Sequence, residues 1–472
     1  MTILSIANRF KIIHNFMMCA LLLIFLAACA PQDGELTQDG TETAAVTLDV
    51  EATETPEAEV QATSTVTRTA TPNPRIPNLS GETITIYHLG DASSEFAELL
   101  TLPMIHGVED MVNVVNRTGG VYGAEIELKF MDTEGVVENT LEAYASIKEA
   151  DENMLLLVVY SVEELEALAP LAAEDGIPIL AAVPSAKALY ETPDSTVFSL
   201  APLREEEFAL FVDYVAENWR TIKPLGAKNN EIKLAYISWG TLEGRTDLSK
   251  VAQAYAEEQG IAVVAKEVIG REPYGSTTTA ILNAGVAGAN VIYTAAGTYS
   301  TANLLNDLHN MAVQADFLVG GGYASLDMAG ATYLAAPSYM DDLYAAYPMA
   351  WWSETENPAI VFALDHFERD PEEQTGGRLL MQGSIDLAKY TFEQAILKEG
   401  FDDLDGEAVL EALSDVEDYA VLDGLMTVDF SDGRRSAGEA QMLMVLDGLE
   451  TVYIVEDYAA LPDLRPEVST DK

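Results

Sequence analysis

The stretch from Thr83 to Glu134 constrains the fold more than any other part of the chain. It opens with an alternating, β-branched run, which is typical of a strand. After Leu89-Gly90-Asp91, apolar residues recur at helical spacing from Ile105 to Val115. Gly119-Gly120 predicts the end of that helix, because glycine enters the left-handed region without a Cβ penalty, and the alternation from Ile126 to Phe130 predicts a second strand. The stretch therefore predicts a β-α-β unit.

Strands and helices continue to alternate after this unit. The uninterrupted apolar run from Met154 to Val159 is typical of a buried parallel strand, and a helix is expected from about Val162 to Ala173. A second, similar series starts at Arg204 with a helix to Ile222 and a strand from Ile232 to Ser238. We therefore predict an α/β fold with two lobes, each built on a doubly wound parallel sheet.

Residues 1–28 have the pattern of a lipoprotein signal peptide. Arg9 and Lys11 precede an apolar core that is too short to span a bilayer. The core ends at Leu26-Ala27-Ala28-Cys29, which matches the bacterial lipobox, so we predict Cys29 as a lipid anchor. The alternative is an ordinary signal peptide with a chance cysteine. The other cysteine, Cys19, lies in the removed segment, so neither a disulfide nor a cysteine-ligated metal site is expected.

Residues 29–81 differ sharply in composition from the rest of the chain. From Ala30 to Ser80 the segment is rich in Thr, Glu and Pro and contains no aromatic residue. Such a segment cannot bury enough apolar surface to offset the entropy of ordering it, which predicts a disordered tether. A flexible chain of about fifty residues spans on the order of 40 Å, enough to hold a globular body clear of a membrane. Residues 461–472 are predicted to form a C-terminal tail.

The chain is strongly acidic, with a formal net charge of −52. The predicted signal peptide contributes only Arg9 and Lys11 as charged residues, so the remainder carries −54. This surface repels nucleic acid phosphates and anionic lipid head groups, so we expect no nucleic acid partner and attachment to the membrane through the lipid anchor alone. A solubility adaptation or a salty habitat explains the charge without any partner.

The motifs of the opening unit carry a family resemblance. A helix that ends in N-x-x-G-G-x-x-G, from Asn116 to Gly123, is followed by a strand that ends in D-x-x-G, from Asp132 to Gly135. This arrangement resembles the branched-chain amino acid binding proteins of ABC importers, which are type I periplasmic binding proteins, and the likeness continues from Thr83 to about Val455. It implies an extracytoplasmic monomer that captures a small molecule between two closing lobes, uses no cofactor, and delivers the molecule to ABC permease subunits.

The resemblance also implies a discontinuous division of the globular body. The implied bounds are residues 82–203 and 347–427 for lobe I, and residues 204–346 and 428–460 for lobe II. Helices at Ala359–Phe367 and Ile385–Lys398 would return to lobe I. The chain would then cross between the lobes near Ala201-Pro202, near Tyr344–Pro348 and near Thr427–Asp432. Three crossings would make a three-strand hinge.

Loops at the carboxyl ends of strands form the ligand crevice of open parallel sheets. By the resemblance, hydroxyl and backbone groups of lobe I take the carboxylate of an amino acid, while an aromatic and an acidic residue of lobe II take its ammonium group. The predicted ligand-binding residues are Ser93, Ser94, Ser161, Val183, Ser185, Trp239, Tyr299 and Tyr323. Two alternatives stay open: Ser161 precedes Glu164 by three residues and could cap a helix, and Trp239 could be a packing residue.

The chain departs from the family pattern at Gly321, which stands where an acidic residue is usual. Without that carboxylate, an ammonium group loses a contact worth about 1.5 to 3 kcal/mol. Glu163, next to Ser161 and Val162, would also repel a ligand carboxylate. We therefore expect a neutral or cationic, partly apolar ligand that stacks on the aromatic residues of lobe II. Asp91 or Glu243 is the alternative source of the missing carboxylate.

Other functions are disfavoured by what the sequence lacks. It contains no G-x-S-x-G, H-E-x-x-H or G-x-x-x-x-G-K motif, and no cysteine is available as a nucleophile, so an enzyme is not expected. The histidines show no metal-ligand spacing, so no metal is expected. A ligand-sensing lipoprotein that reports to a membrane receptor is the main alternative to the importer component. A purely structural surface protein would have neither a pocket nor closure.

Overall fold

The computed structural model describes residues 76–94, 96–227, 230–239, 247–367, 374–449 and 451–466. The predicted signal peptide, Cys29, most of the tether, Glu243 and the end of the tail lie outside these residues. Within the described part of the chain, no helix combines the length and apolar character needed to cross a membrane.

The first half of the globular body alternates strands and helices, as predicted. Its elements are β1 (Thr83–Gly90), α1 (Ala97–Leu100), α2 (Leu102–Arg117), β2 (Glu125–Asp132), α3 (Val137–Ala150), β3 (Leu157–Val159), α4 (Val162–Asp175), β4 (Ile179–Ala181) and β5 (Val197–Phe198). The strands form one sheet in the order β2-β1-β3-β4-β5. Every neighbouring pair in this first sheet is parallel.

The second half contributes a larger sheet and several helices. Its elements are α5 (Arg204–Ile222), β6 (Ile232–Trp239), α6 (Lys250–Glu258), β7 (Ile261–Ile269), α7 (Thr278–Ala287), β8 (Val291–Thr294), α8 (Thr298–Asn310), β9 (Leu318–Gly321), α9 (Met328–Ala331), β10 (Leu343–Tyr347), α10 (Pro358–His366), α11 (Gly376–Glu399), α12 (Gly406–Ser414), β11 (Tyr419–Val421), β12 (Met426–Val428), β13 (Glu439–Leu446) and β14 (Thr451–Ala460). The second sheet has the order β14-β13-β10-β9-β8-β6-β7, and β11 pairs with β12 separately.

The second sheet adds an antiparallel edge to the predicted parallel arrangement. From β7 to β10 the neighbouring strands are parallel, whereas β13 runs antiparallel to both β10 and β14. The connection between β13 and β14 is only residues 447–450, and a connection that short can join only antiparallel neighbours. The parallel part of the sheet is therefore the part that follows the βα alternation seen in the sequence.

The opening unit has the predicted β-α-β structure. Asn116, near the end of α2, exchanges hydrogen bonds with the backbone of Ile126 in β2, at 2.8 and 2.9 Å. Gly120 has a φ of 63°, and a Cβ atom there would lie 1.9 Å from the carbonyl oxygen of Ala124. Only glycine fits this turn, because a side chain would collide with the backbone that leads into β2.

The helix α11 is longer than predicted. The sequence pattern predicted Ile385–Lys398, but the helix begins at Gly376 because Thr375 caps it, its hydroxyl accepting a hydrogen bond from the amide of Arg378 at 3.0 Å. Two consecutive glycines usually disfavour a helix, but Gly376 and Gly377 lie in the first turn of α11. A Cβ atom on Gly377 would lie 3.0 Å from Cγ of Met104 in α2, so the glycines permit close helix packing.

The chain makes three passages between the parts built around the two sheets. After β5 it leaves the first sheet for the second, and after β10 it leaves the second sheet for the segment from α10 to β12, in which α11 packs against α2. After β12 it returns to the second sheet as β13. The first and third passages are bonded to each other, since the amide of Ser199 donates to the carbonyl of Arg435 at 2.9 Å. Close by, Nη1 of Arg434 donates to both carboxylate oxygens of Glu206, at 3.1 and 3.0 Å. Glu206 is fully buried, and its burial raises the pKa of the carboxyl group to about 7, although Arg434 opposes this rise.

Candidate functional site

A cavity of about 490 Å³ is bordered by the strand ends of both sheets. We call the lining residues up to and including Pro202 the first wall and those from Arg204 to Asp327 the second wall; Thr375 and Gly377 complete the lining. The volume lies within the range of about 300 to 1,000 Å³ that is usual for small-molecule sites. It is also about three times that of an engineered cavity of about 150 Å³ that binds benzene. The cavity is therefore large enough for an organic solute.

The structure brings five of the eight predicted ligand-binding residues to this cavity: Ser94, Ser161, Val183, Trp239 and Tyr323. Three do not line it: Ser93, Ser185 and Tyr299. Ser185 lines a second cavity of about 220 Å³ and donates to Oε1 of Glu166 at 2.6 Å. Tyr299 is fully buried, and its hydroxyl donates to the carbonyl of Arg271 at 2.6 Å.

The hydroxyl of Ser161 is engaged at the start of α4. It accepts a hydrogen bond from the amide of Glu164 at 3.3 Å and donates to Oε2 of the same residue at 2.7 Å. Glu164 is itself buried, and its carboxylate also accepts hydrogen bonds from Thr133 and Thr140. This arrangement is the capping role that the sequence left open as an alternative.

The loop after β1 is organised around Asp91. The amides of Ser93 and Ser94 donate to its Oδ1 at 3.2 and 2.8 Å, and the hydroxyl of Ser94 donates to Oδ2. The hydroxyl of Thr101 donates to the carbonyl of Asp91 at 2.5 Å. Asp91 therefore holds its own loop together, and its carboxylate is already well supplied with donors.

Part of the first wall is apolar and was not predicted. Phe96, which directly precedes α1, lines the cavity together with Leu99 and Leu100 of α1 and Met104 of α2. Tyr160 contributes from the end of β3, and its hydroxyl lies 3.0 Å from Nδ1 of the buried His88. Burial lowers the pKa of His88 to about 4, so this imidazole is neutral at physiological pH.

In the second wall, Arg271 stacks on Trp239. The guanidinium carbon lies 5.2 Å from the centre of the indole, whose Nε1 donates to Oγ of Ser300 at 2.7 Å. Trp239 is 7 % exposed, so it packs as well as lining the cavity. Arg271 was missed in the sequence although it directly follows the strand β7 and Gly270, a position at which the strand-end rule applies.

An acidic side chain, which is usual in the family at the position of Gly321, would not fit there. A Cβ atom on Gly321 would lie 2.3 Å from Oγ of Ser325 and 2.8 Å from the carbonyl oxygen of Thr294. The second wall instead carries Glu207 and Asp327, which the sequence did not single out. An acid is therefore present in this wall, but on different elements.

Glu207 and Asp327 are both buried. Glu207 lies in the first turn of α5 and accepts a hydrogen bond from the amide of Tyr323 at 2.9 Å. Burial raises the pKa of Glu207 to about 8, partly offset by this hydrogen bond and by Arg204. Burial also raises the pKa of Asp327 to about 7, against hydrogen bonds from the amides of Ala329 and Gly376. Both carboxyl groups are therefore protonated more readily than ordinary acids.

Comparisons with known proteins agree with this architecture. No curated protein matches the chain. A branched-chain amino acid ABC transporter structure from Thermus thermophilus with bound valine is 16% identical, with a TM-score of 0.66, and the match covers 81% of this chain and 97% of that one. A fatty acid ABC transporter substrate-binding protein from Thermomonospora curvata is 15% identical, with a TM-score of 0.62, and the match covers 84% and 96%.

A third similar structure is a branched-chain amino acid transporter substrate-binding protein from Streptococcus pneumoniae in complex with isoleucine. It is 14% identical, with a TM-score of 0.60, and the match covers 79% of this chain and all of that one. The family model described as periplasmic binding protein matches residues 83–447. Because this match spans most of the chain and every residue that lines the cavity, the chain belongs to the periplasmic binding protein family.

Proposed function

We propose that the protein captures a small organic solute in the 490 Å³ cavity and delivers it to the permease subunits of an ABC importer. The observation that carries the proposal is the position of the cavity, whose two walls come from the strand ends of two different sheets. The similar structures are described as binding valine, isoleucine or fatty acid, which supports an amino acid-like or related organic solute. Family membership places the protein outside the cytoplasm.

Ligand capture requires the two walls to close on the solute. We propose lobe I as residues 82–203 and 347–427 and lobe II as residues 204–346 and 428–460, with the three passages as the hinge. A solute that touches both walls binds the closed state more tightly and shifts the population toward it. Small-angle scattering should show a smaller radius of gyration with bound solute, and an unchanged radius at saturation would contradict closure.

Attachment to the membrane is proposed through Cys29. The motif Leu26-Ala27-Ala28-Cys29 supports a lipidated cysteine, and the acidic composition supports a monomer held off the membrane by its tether. Cys29→Ser should move the protein from the membrane pellet to the soluble fraction and abolish incorporation of labelled lipid. Retention in the pellet together with unlabelled wild-type protein would refute the anchor.

The direct test of solute capture is native mass spectrometry of freshly purified protein. We expect a bound small molecule that is lost when the protein is denatured, and cells without the protein should import that molecule more slowly. Absence of any bound molecule, together with no response to candidate solutes in scattering, would refute capture. Normal uptake by such cells would instead favour a ligand-sensing lipoprotein.

A further inference from the structure

The hydroxyl groups of the first wall are already committed to the protein. Each hydroxyl has one proton to donate. Ser161 gives its proton to Glu164, Ser94 gives its proton to Asp91, and Thr101 gives its proton to a backbone carbonyl. In the second wall, the hydroxyl of Ser325 donates to backbone carbonyls at 3.1 and 3.3 Å. These four hydroxyls therefore do not supply donors for a ligand carboxylate.

The remaining charged groups of the first wall are acidic. Glu134 lies in the loop after β2 and Glu163 lies in the first turn of α4, and both line the cavity. Neither carboxylate forms a hydrogen bond or an ion pair with another described residue. The first wall therefore attracts a cationic group and repels an anionic one.

The charged groups of the second wall are different, because two arginines line it. Arg271 is positioned by Trp239 and by the hydroxyl of Tyr299, and its Nε is buried without a hydrogen-bond partner among the described residues. Arg204 begins α5 and forms no ion pair with another residue that the structure describes. A guanidinium group presents planar donors that match a carboxylate.

The acids of the second wall weaken this positive character only in part. Glu207 accepts the amide of Tyr323, and burial raises the pKa of its carboxyl group to about 8. Asp327 accepts two backbone amides, and burial raises its pKa to about 7. Near neutral pH both groups are partly or largely protonated, so the arginines determine the sign of the wall.

We infer that the ligand is a dipolar organic solute with separated charges, bound with its anionic group at Arg271 and Arg204 and its cationic group at Glu134 and Glu163. An apolar segment of the ligand would lie between them, against Leu99 and Leu100. This polarity is the reverse of the one that the family resemblance implies, in which the first lobe takes the carboxylate. The inference rests on the proposed solute-binding function and specifies which class of solute the cavity takes.

The test uses four probes in isothermal titration calorimetry with the mature protein: 6-aminohexanoate, hexanoate, hexylamine and leucine. Wild-type protein should bind 6-aminohexanoate at least about tenfold more tightly than any of the other three, since a lost charged contact is worth about tenfold or more. Arg271→Gln should weaken 6-aminohexanoate and hexanoate about tenfold and leave hexylamine within about twofold. Glu163→Gln should weaken 6-aminohexanoate and hexylamine but not hexanoate.

The control residues lie in the same helices as Arg204 and Glu163, at the opposite ends of those helices. Arg220→Gln changes an exposed arginine in the last turn of α5, and Glu174→Gln changes an exposed acid near the end of α4. Neither control should alter the order of the four probes. Circular dichroism of each variant verifies that it is folded before affinities are compared.

Three outcomes would overturn the inferred polarity. Arg271→Gln could weaken hexylamine instead of hexanoate, leucine could bind more tightly than 6-aminohexanoate, or 6-aminohexanoate could fail to bind at millimolar concentration. Solute capture itself survives each of these if native mass spectrometry finds a bound molecule. Failure of all four probes together with an empty protein in native mass spectrometry refutes the proposed function as well.

Discussion

The first and second walls differ in how their polar groups are satisfied. In the first wall, side chains at strand ends bond to residues three positions away in the chain, as Ser161 does with Glu164 and Ser94 does with Asp91. In the second wall, charged groups are supported by rings and backbone from other elements, as Arg271 is by Trp239. The comparison teaches that position at a strand end brings a residue to the cavity, but local hydrogen bonds decide whether its polar atoms are available there.

The largest expected effect is on the aromatic support of the second wall. Trp239→Ala removes a nearly buried indole that stacks with Arg271, and should lower the free energy of unfolding by about 3 to 5 kcal/mol. Urea denaturation measures this loss. Val183→Ala in the first wall should cost less because Val183 is only half-buried. Equal losses for the two variants would remove the contrast between the walls.

The next effect is a pH dependence of stability that arises from Glu207. Because the pKa in the folded state, about 8, exceeds the ordinary value of 4.5, the stability contributed by protonated Glu207 is present below pH 4.5 and is lost as pH rises through 8. The free energy of unfolding of Glu207→Gln, relative to that of the wild type, should therefore rise by on the order of 4 kcal/mol from pH 4.5 to pH 8.5. Denaturation at both pH values measures the gain.

Glu205→Gln, in the same turn of α5, is the control for that measurement. It removes one carboxylate from the same turn and leaves in place the carboxyl group that accepts the amide of Tyr323. A constant difference for Glu207→Gln would show that Glu207 is not held in a desolvated position.

A smaller effect separates the two roles of Ser161. If the hydroxyl serves the helix, Ser161→Ala lowers the free energy of unfolding by about 0.5 to 2 kcal/mol and leaves ligand affinity within about twofold. Ser249→Ala is matched to it, because Ser249 caps α6 by accepting from the amide of Ala252 at 3.2 Å. Loss of tenfold or more in affinity for Ser161→Ala alone would show that the hydroxyl reaches the ligand, as the family resemblance predicted.

The smallest effect concerns the hydroxyl behind the first wall. Tyr160→Phe removes the 3.0 Å contact with Nδ1 of His88 and should cost about 0.5 to 1.5 kcal/mol at pH 7. Thermal denaturation at fixed pH measures the cost. A loss comparable to that of Trp239→Ala would mean that the first wall depends on a buried polar pair as strongly as the second wall depends on its stacked ring.

The alternation of strands and helices could be predicted from the sequence, because periodicity and glycine turns are local properties. Gly120 illustrates this, since its left-handed conformation and the following strand β2 were both predicted from neighbouring residues. The rule that ligand sites lie at the carboxyl ends of strands also predicted the positions of Ser94, Ser161 and Tyr323, which line the cavity. The ligand-binding roles of these residues remain predictions.

The rest of the site depends on the path of the chain. Thr375 and Gly377 enter the lining because α11 packs against α2, which lies far away in sequence. Arg204 and Glu207 line the cavity from the start of α5. This helix follows the passage from the first sheet to the second, so the rule for loops at strand ends within one sheet does not identify them. No local pattern predicts such positions, because they are determined by which surfaces meet in the folded chain.

The first turn of α5 constrains how this protein can change over evolution. Glu206 is bound by Arg434 from the third passage, while the adjacent Glu207 borders the cavity. Loss of Arg434 would leave a buried charge uncompensated, at a cost of about 3 to 5 kcal/mol. Substitutions in this turn therefore disturb the contact with the third passage and the cavity lining together, whereas Arg271 lies on a separate loop. If Arg271 contacts the ligand as proposed, new ligand preferences are more accessible by mutation at Arg271 than in the turn that begins α5.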